Sequence, residues 1–165
     1  MLDASHIGKP TAFWVRPLVP TDMSDIVEHI LRLSSYDRYL RFFCTLSDKT
    51  VRSLIVDRLK DDYVYSCGVY RRDRLIGVGQ LAATAETPEC AELAVSVDAN
   101  SRNEGVATEL IRHMISHARR QRYHEISLSM MSENIGIKRL ARRFAFQFRH
   151  QNGQIAAYIR IDPAD

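Results

Sequence analysis

The sequence predicts an α+β fold: a mixed sheet of six or seven strands flanked by helices. Three observations predict it. Strand-like and helix-like segments follow in the order β, two or three helices, βββ, α, β, α, ββ. One β-α-β portion demands a crossover, right-handed for an L-chain, inside an otherwise antiparallel sheet. Asn152-Gly153, between the last two alternating segments, is the signal for a type I′ hairpin.

The elements follow in order. Phe13–Leu18 is aromatic and β-branched and reads as a first strand, with Pro17 confining it to an edge. Thr21 or Asp22 caps a helix over Met23–Leu33, whose apolar residues Met23, Ile26, Val27, Ile30 and Leu31 recur at helical spacing. Ser34–Phe43 is a second short amphipathic segment. Ser47 or Asp48 caps a third helix, with Val51, Leu54, Ile55 and Leu59 on one face. Three strands then meander through Tyr63–Tyr70, Leu75–Ala83 and Cys90–Val97, with turns at Arg72-Asp73 and Thr87-Pro88-Glu89. In the third, Leu93, Val95 and Val97 point one way, and Glu92, Ala94 and Ser96 the other. A long helix runs from Glu104 to Arg120, burying a stripe from Val106 to Ala118. Glu125–Met130 is a strand. Asn134–Phe144 is a helix with Ile137, Leu140 and Phe144 inward. Phe146–His150 and Gln154–Ile161 close the chain as a hairpin.

The 165 residues suit one domain, expected over 11–165 behind a flexible leader at 1–10. A chain this long buries an adequate core without disulfides or metal. Met1–Pro10 lacks the apolar stretch of a signal peptide, and no apolar run approaches the ~20 residues of a membrane span. A cytoplasmic protein with no membrane partner is expected. Cys44, Cys67 and Cys90 are odd in number, far apart and outside any metal-ligand spacing. They read as reduced, small core residues, and no metal is expected. The net charge of +3 suits a polyanionic small ligand as well as nucleic acid. No basic-aromatic interleaving supports nucleic acid, so none is expected. A homodimer is compatible with the sequence.

The chemistry concentrates in Ala91–Leu110, where a strand runs into a polar turn and then a helix. Gly105 and Ala107 let a ligand approach the backbone. The helix start leaves N–H groups unpaired at the positive end of the macrodipole, and Arg102 adds a full charge. Together these make an anion site suited to a pyrophosphate. The same pattern also fits a plain β-turn-α connection in which Gly105 only eases the turn.

Residues 102–107 (RNEGVA) resemble the signature of the Gcn5-related N-acetyltransferase (GNAT) superfamily: Arg or Gln, two variable residues, Gly, one variable residue, then Gly or Ala. A second family motif, Asn followed twelve residues later by Phe, is matched by Asn134 and Phe146. The family order of elements matches from about residue 12 to residue 161. The resemblance implies the GNAT fold, with a βαβ core that binds acetyl-CoA, and N-acetyltransferase activity. It also implies that the backbone of Val95, Ser96 and Val97 pairs with the pantetheine arm like an added strand. The amides of Arg102, Asn103, Glu104, Gly105, Val106, Ala107 and Thr108 would hold the pyrophosphate, and the Asn134 side chain the arm near its amide end. Arg119, Arg120 and Arg122 read as a solvated face.

Acetyl transfer to an amine needs a base for the ammonium and a donor for the developing oxyanion. Glu92 is the candidate base, acting directly or through water, with partial burial expected to raise its pKa. A charged residue on a solvated strand face is the competing reading. Family members that acetylate protein lysines carry a glutamate at an equivalent point. The backbone N–H of Val95 is the expected oxyanion donor. The chain departs from the family where Ala141 replaces the usual acid Tyr, seven residues after the Asn, and where Ala145 replaces Gly. Ala141 and the Ser34–Phe43 segment resemble bacterial protein-lysine acetyltransferase domains, which favours a protein lysine as acceptor. A small-molecule amine, or a non-catalytic domain that binds acetyl-CoA and reports it, are the alternatives. His113 and His117 lie at i, i+4, expected on the exposed side of the long helix, with no third metal ligand. Tyr36, Tyr39, Phe42 and Phe43 read as core and acceptor-groove wall, and Tyr123 and His124 as surface.

Overall fold

The computed structural model describes residues 13–151 and 154–162. The expected leader at 1–10 and the Asn152-Gly153 turn lie outside the described residues. The elements are β1 (Trp14–Pro17), α1 (Met23–Arg32), α2 (Ser35–Phe42), α3 (Asp48–Lys60), β2 (Val64–Arg71), β3 (Arg74–Ala82), β4 (Cys90–Val97), α4 (Val106–Arg120), β5 (Glu125–Met130), α5 (Ile135–Arg143), β6 (Gln147–Gln151) and β7 (Gln154–Arg160). They form a seven-stranded sheet in the order β1-β2-β3-β4-β5-β7-β6, with Pro17 on an edge strand. Every neighbouring pair is antiparallel except β4 and β5, which the α4 crossover makes parallel.

Two apolar layers cover the sheet. Ile26, Val27 and Ile30 of α1 pack with Val51 and Ile55 of α3 against Tyr70, Leu75 and Val78. Leu110, Ile111, Met114 and Ala118 of α4 pack with Leu81, Leu93, Ile126 and Leu128 in the larger layer. Gly79 lets α4 come this close, since a Cβ there would lie 2.8 Å from the Met114 side chain. The capping logic is local. Ser47 Oγ accepts from the Thr50 amide to start α3, and Asn134 Oδ1 accepts from the Ile137 amide to start α5.

The gap that matters opens between β4 and β5. They pair only from Cys90 opposite Glu125 to Glu92 opposite Ser127. Beyond that, β4 keeps pairing with β3 up to Val97, and β5 with β7 up to Met130. Each strand stays bonded to its outer partner, so their facing edges separate past Glu92.

Several expectations are corrected. The long helix starts at Val106 rather than Glu104, because Asn103 (φ 61°) and Gly105 (φ 90°) sit in the left-handed region. His113 and His117 are half-buried, not on an open face. His117 stacks on the Tyr65 ring at 3.4 Å, and the Tyr65 hydroxyl meets His113 Nε2 at 2.8 Å. Burial, then the charges of Arg120 and His113, push His117 down to about 4. Tyr123 is half-buried against the core while His124 is exposed. Cys44 is exposed and Cys67 buried, so only the latter is a full core residue. Met23, placed on the apolar stripe of α1, is exposed at the helix start. Tyr36 and Tyr39 are exposed on α2 rather than core, though Tyr36, with Phe42 and Phe43, lines a cavity.

Candidate active site

Between β4, β5, α2, α4 and α5 lies a cavity of about 860 Å³. It runs from the α4 N-terminus through the gap to the sheet face covered by α1, α2 and α3. Of the residues singled out from the sequence, Glu92, Val95, Ser96, Val97, Arg102, Asn103, Gly105, Val106, Ala107, Thr108 and Asn134 line it. Glu104 does not; its carboxylate turns away to pair with Arg71.

At one end, the N-cap of α4 is Gly105, so no side chain caps the helix. A Cβ built there would meet nothing within 4 Å, which leaves a hollow over the first-turn amides. Arg102 stands at its mouth, paired with Asp37 of α2 at 2.8 Å. Burial raises the Asp37 carboxyl, but the Ser34 hydroxyl and Arg102 outweigh it and hold it below its ordinary value. The turn before the hollow is anchored by buried Asp98, which accepts from Arg32 at 3.1 Å and meets His29 and Arg74.

In the middle, Ser96 turns into the α1 layer, where its hydroxyl meets His29 Nε2 at 2.9 Å. Asn134 spends its carbonyl oxygen on capping α5, which leaves its amide NH₂ without a protein acceptor among the described residues.

At the other end, Glu92 sits at the last pairing of β4 with β5 and beside Ala82 of β3. It is exposed, not partly buried as expected, because the sheet opens at this residue. Ala141 is fully buried against the α4 layer and does not reach the cavity. Cavity residues missed from sequence include Arg41 of α2, Arg58 of α3, and Arg139 and Arg143 of α5. For Arg41 the signal was an arginine inside the apolar run Leu40–Phe43. Among the described residues, no cluster of three or more His, Cys, Asp or Glu stands ready for a metal, and no helix is long and apolar enough to cross a membrane.

Known proteins share this fold. A family model described as "Acetyltransferase (GNAT) family" matches residues 31–146. No curated protein matches the chain. Among solved structures, the GNAT domain of S. lividans PAT is 20% identical, with a TM-score of 0.75 over 88% of this chain and 89% of that one. The protein yncA of Salmonella typhimurium, solved with its cofactor acetyl-CoA, is 15% identical, with a TM-score of 0.71 over 92% and 95%. The ribosomal-protein-S18-alanine N-acetyltransferase of Escherichia coli is 14% identical, with a TM-score of 0.70 over 93% and 96%. At these identities the likeness is one of fold.

Proposed function

The chain belongs to the acetyltransferase (GNAT) family of acetyl-CoA-dependent N-acetyltransferases, and from that premise we propose that it acetylates a primary amine, a protein lysine foremost, by direct attack on the thioester. One observation carries the reading. A single cavity joins the uncapped start of α4 to Glu92 through the gap between β4 and β5.

The residues present fit acetyl-CoA. The hollow over Gly105 and the free amides of the first turn of α4 suit a pyrophosphate. The unpaired edge of Val95–Val97 suits the pantetheine arm as an added strand, with the Asn134 amide NH₂ as donor to it. Bound there, acetyl-CoA supplies the activated acyl group. Glu92 takes a proton from the acceptor ammonium, directly or through water, and frees its lone pair for the carbonyl carbon. The Val95 N–H is the donor for the carbonyl oxygen as it gains charge. With Ala141 buried, position 141 offers no acid to the leaving thiolate, which departs as the anion or takes its proton from water. Residues 11–165 act as one cytoplasmic domain in this reading.

The test is turnover of acetyl-CoA by the full chain with lysine peptides, whole proteins and small amines, beside calorimetry with CoA. Acetylation of peptide lysine is expected. Turnover confined to small amines moves the acceptor to that class, and CoA binding without turnover leaves the regulatory alternative standing. Absence of CoA binding overturns the proposal.

A further inference from the structure

The acceptor end of the cavity holds two cations that acetyl transfer itself does not need. The Arg41 guanidinium lies half-buried over the Phe42 ring, 4.9 Å from its centroid. It donates through Nη2 to Gln80 Oε1 at 2.7 Å. Gln80 is 6% exposed, and its own amide donates to the buried Ser66 hydroxyl at 3.1 Å. Arg41 is thus aimed by a neutral, buried relay that offers it no counter-charge.

That is unlike the other shielded arginines. Arg16 pairs with Asp22, Arg32 with Asp98, Arg38 with Asp48 and Arg71 with Glu104. Arg41 forms no ion pair among the described residues, and its other N–H groups meet no acceptor there. The charges that act on it are those of Arg58, also without an ion pair among the described residues, and Glu92. Burial, with Arg58 adding to it, pushes the Arg41 guanidinium down to about 10 while Glu92 opposes the shift, so it stays charged at neutral pH. Two like charges at one cavity mouth, one of them half-buried, form an incomplete site, because shielded arginines are ordinarily matched by carboxylate or phosphate.

The sheet sets the spacing. Glu92 stands opposite Ala82, and Gln80, which aims Arg41, lies two residues along the same face of β3. That is about 7 Å of strand. An amine facing Glu92 therefore has its neighbouring groups within reach of the two guanidinium groups.

We infer that the acceptor carries a carboxylate close to its reactive amine, and that Arg41 and Arg58 select it. This rests on the proposed role of Glu92 in facing the amine. The carboxylate comes either from an acidic residue beside a protein lysine or from the acceptor's own carboxyl group in a free amino acid.

The experiment compares kcat/KM for lysine peptides with Glu, Gln or Lys beside the acceptor, and for free amino acids against their amides. The acidic member of each set is expected to be preferred by about tenfold. Preference in the peptide set alone names a protein source, and in the amino-acid set alone a free one. Arg58→Gln, at an exposed position, should bring the ratio towards one and leave CoA affinity unchanged. Arg58→Glu should favour the Lys-flanked peptide. Acetylation of all amines at equal rates overturns the inference but not the transferase reading. Should no amine turn over, calorimetry of the Glu and Gln peptides and of an amino acid and its amide with CoA-saturated protein reads the same preference. Equal binding within both pairs then overturns it.

Discussion

His29 Nδ1 lies 2.9 Å from Asp98 Oδ1 in the interior, joining α1 to the residue directly after β4. His29 is fully buried, and the contact falls outside good hydrogen-bond geometry at Nδ1, while Nε2 meets the Ser96 hydroxyl. Arg32 and Arg74 reach the same carboxylate. Two arginines, one histidine and one acid thus anchor the turn that leads to Gly105. His29→Ala is expected to lower unfolding free energy by about 2–4 kcal/mol, from the cavity left and the partners orphaned. It should also weaken CoA binding. Denaturant melts and calorimetry measure both, and a stable variant with loose CoA binding would separate the two roles.

The same cluster sets an acid limit. Burial pushes the Asp98 carboxyl up, but His29 and Arg32 outweigh it and hold it below its ordinary 3.8. The stability it contributes is therefore present above that ordinary value. It is lost as pH falls through the depressed folded value. Asp98→Asn should flatten the acid side of the stability curve, and an unchanged acid limb would assign that loss to other carboxylates such as Asp22.

Gly105 has φ 90° with open space where a Cβ would go. Gly105→Val is expected to cost about 1–3 kcal/mol of stability in backbone strain. Because the added side chain fills the hollow, it should also remove detectable CoA binding. Titration of folded variant with CoA at the native affinity would take the pyrophosphate site away from this turn.

Arg102 spends its charge on Asp37 in this structure. Asp37→Asn should release it towards the hollow and remove a negative charge from the site. CoA affinity should rise by about two- to fivefold, with a steeper salt dependence. Weaker binding would mean that the pair holds the site together rather than competing with it.

Glu92→Gln should lower kcat by about 100-fold or more while CoA affinity holds. Retained turnover would return Glu92 to the solvated strand face.

Ala141 is fully enclosed by the α4 layer. Ala141→Tyr should destabilise by about 1–3 kcal/mol through overpacking rather than restore a leaving-group acid. A gain in kcat with an unchanged melting temperature would show that the ring reaches the cavity.

Much of the architecture was legible because it depends on near neighbours. The bounds of β4 and β5 follow from alternation, and α3 from its Ser47 cap, whereas the start of α4 was placed two residues early, at Glu104. The burial of His113 and His117 was not legible. Their helix face looks polar in sequence, and Tyr65, 48 residues away from His113, covers it. Nor did strand patterning reveal Glu92's exposure, which depends on how far two parallel strands keep pairing.

The sequence by itself determined the elements, their order, the family and the loop with an uncapped helix start, since these rest on spacing and on residue types within one or two turns of chain. Only the tertiary structure decided the gap past Glu92, the diversion of Glu104 to Arg71 and the meeting of Arg41, Arg58 and Glu92 at one cavity mouth. Those depend on long-range packing of segments whose own patterns carry no record of their partners.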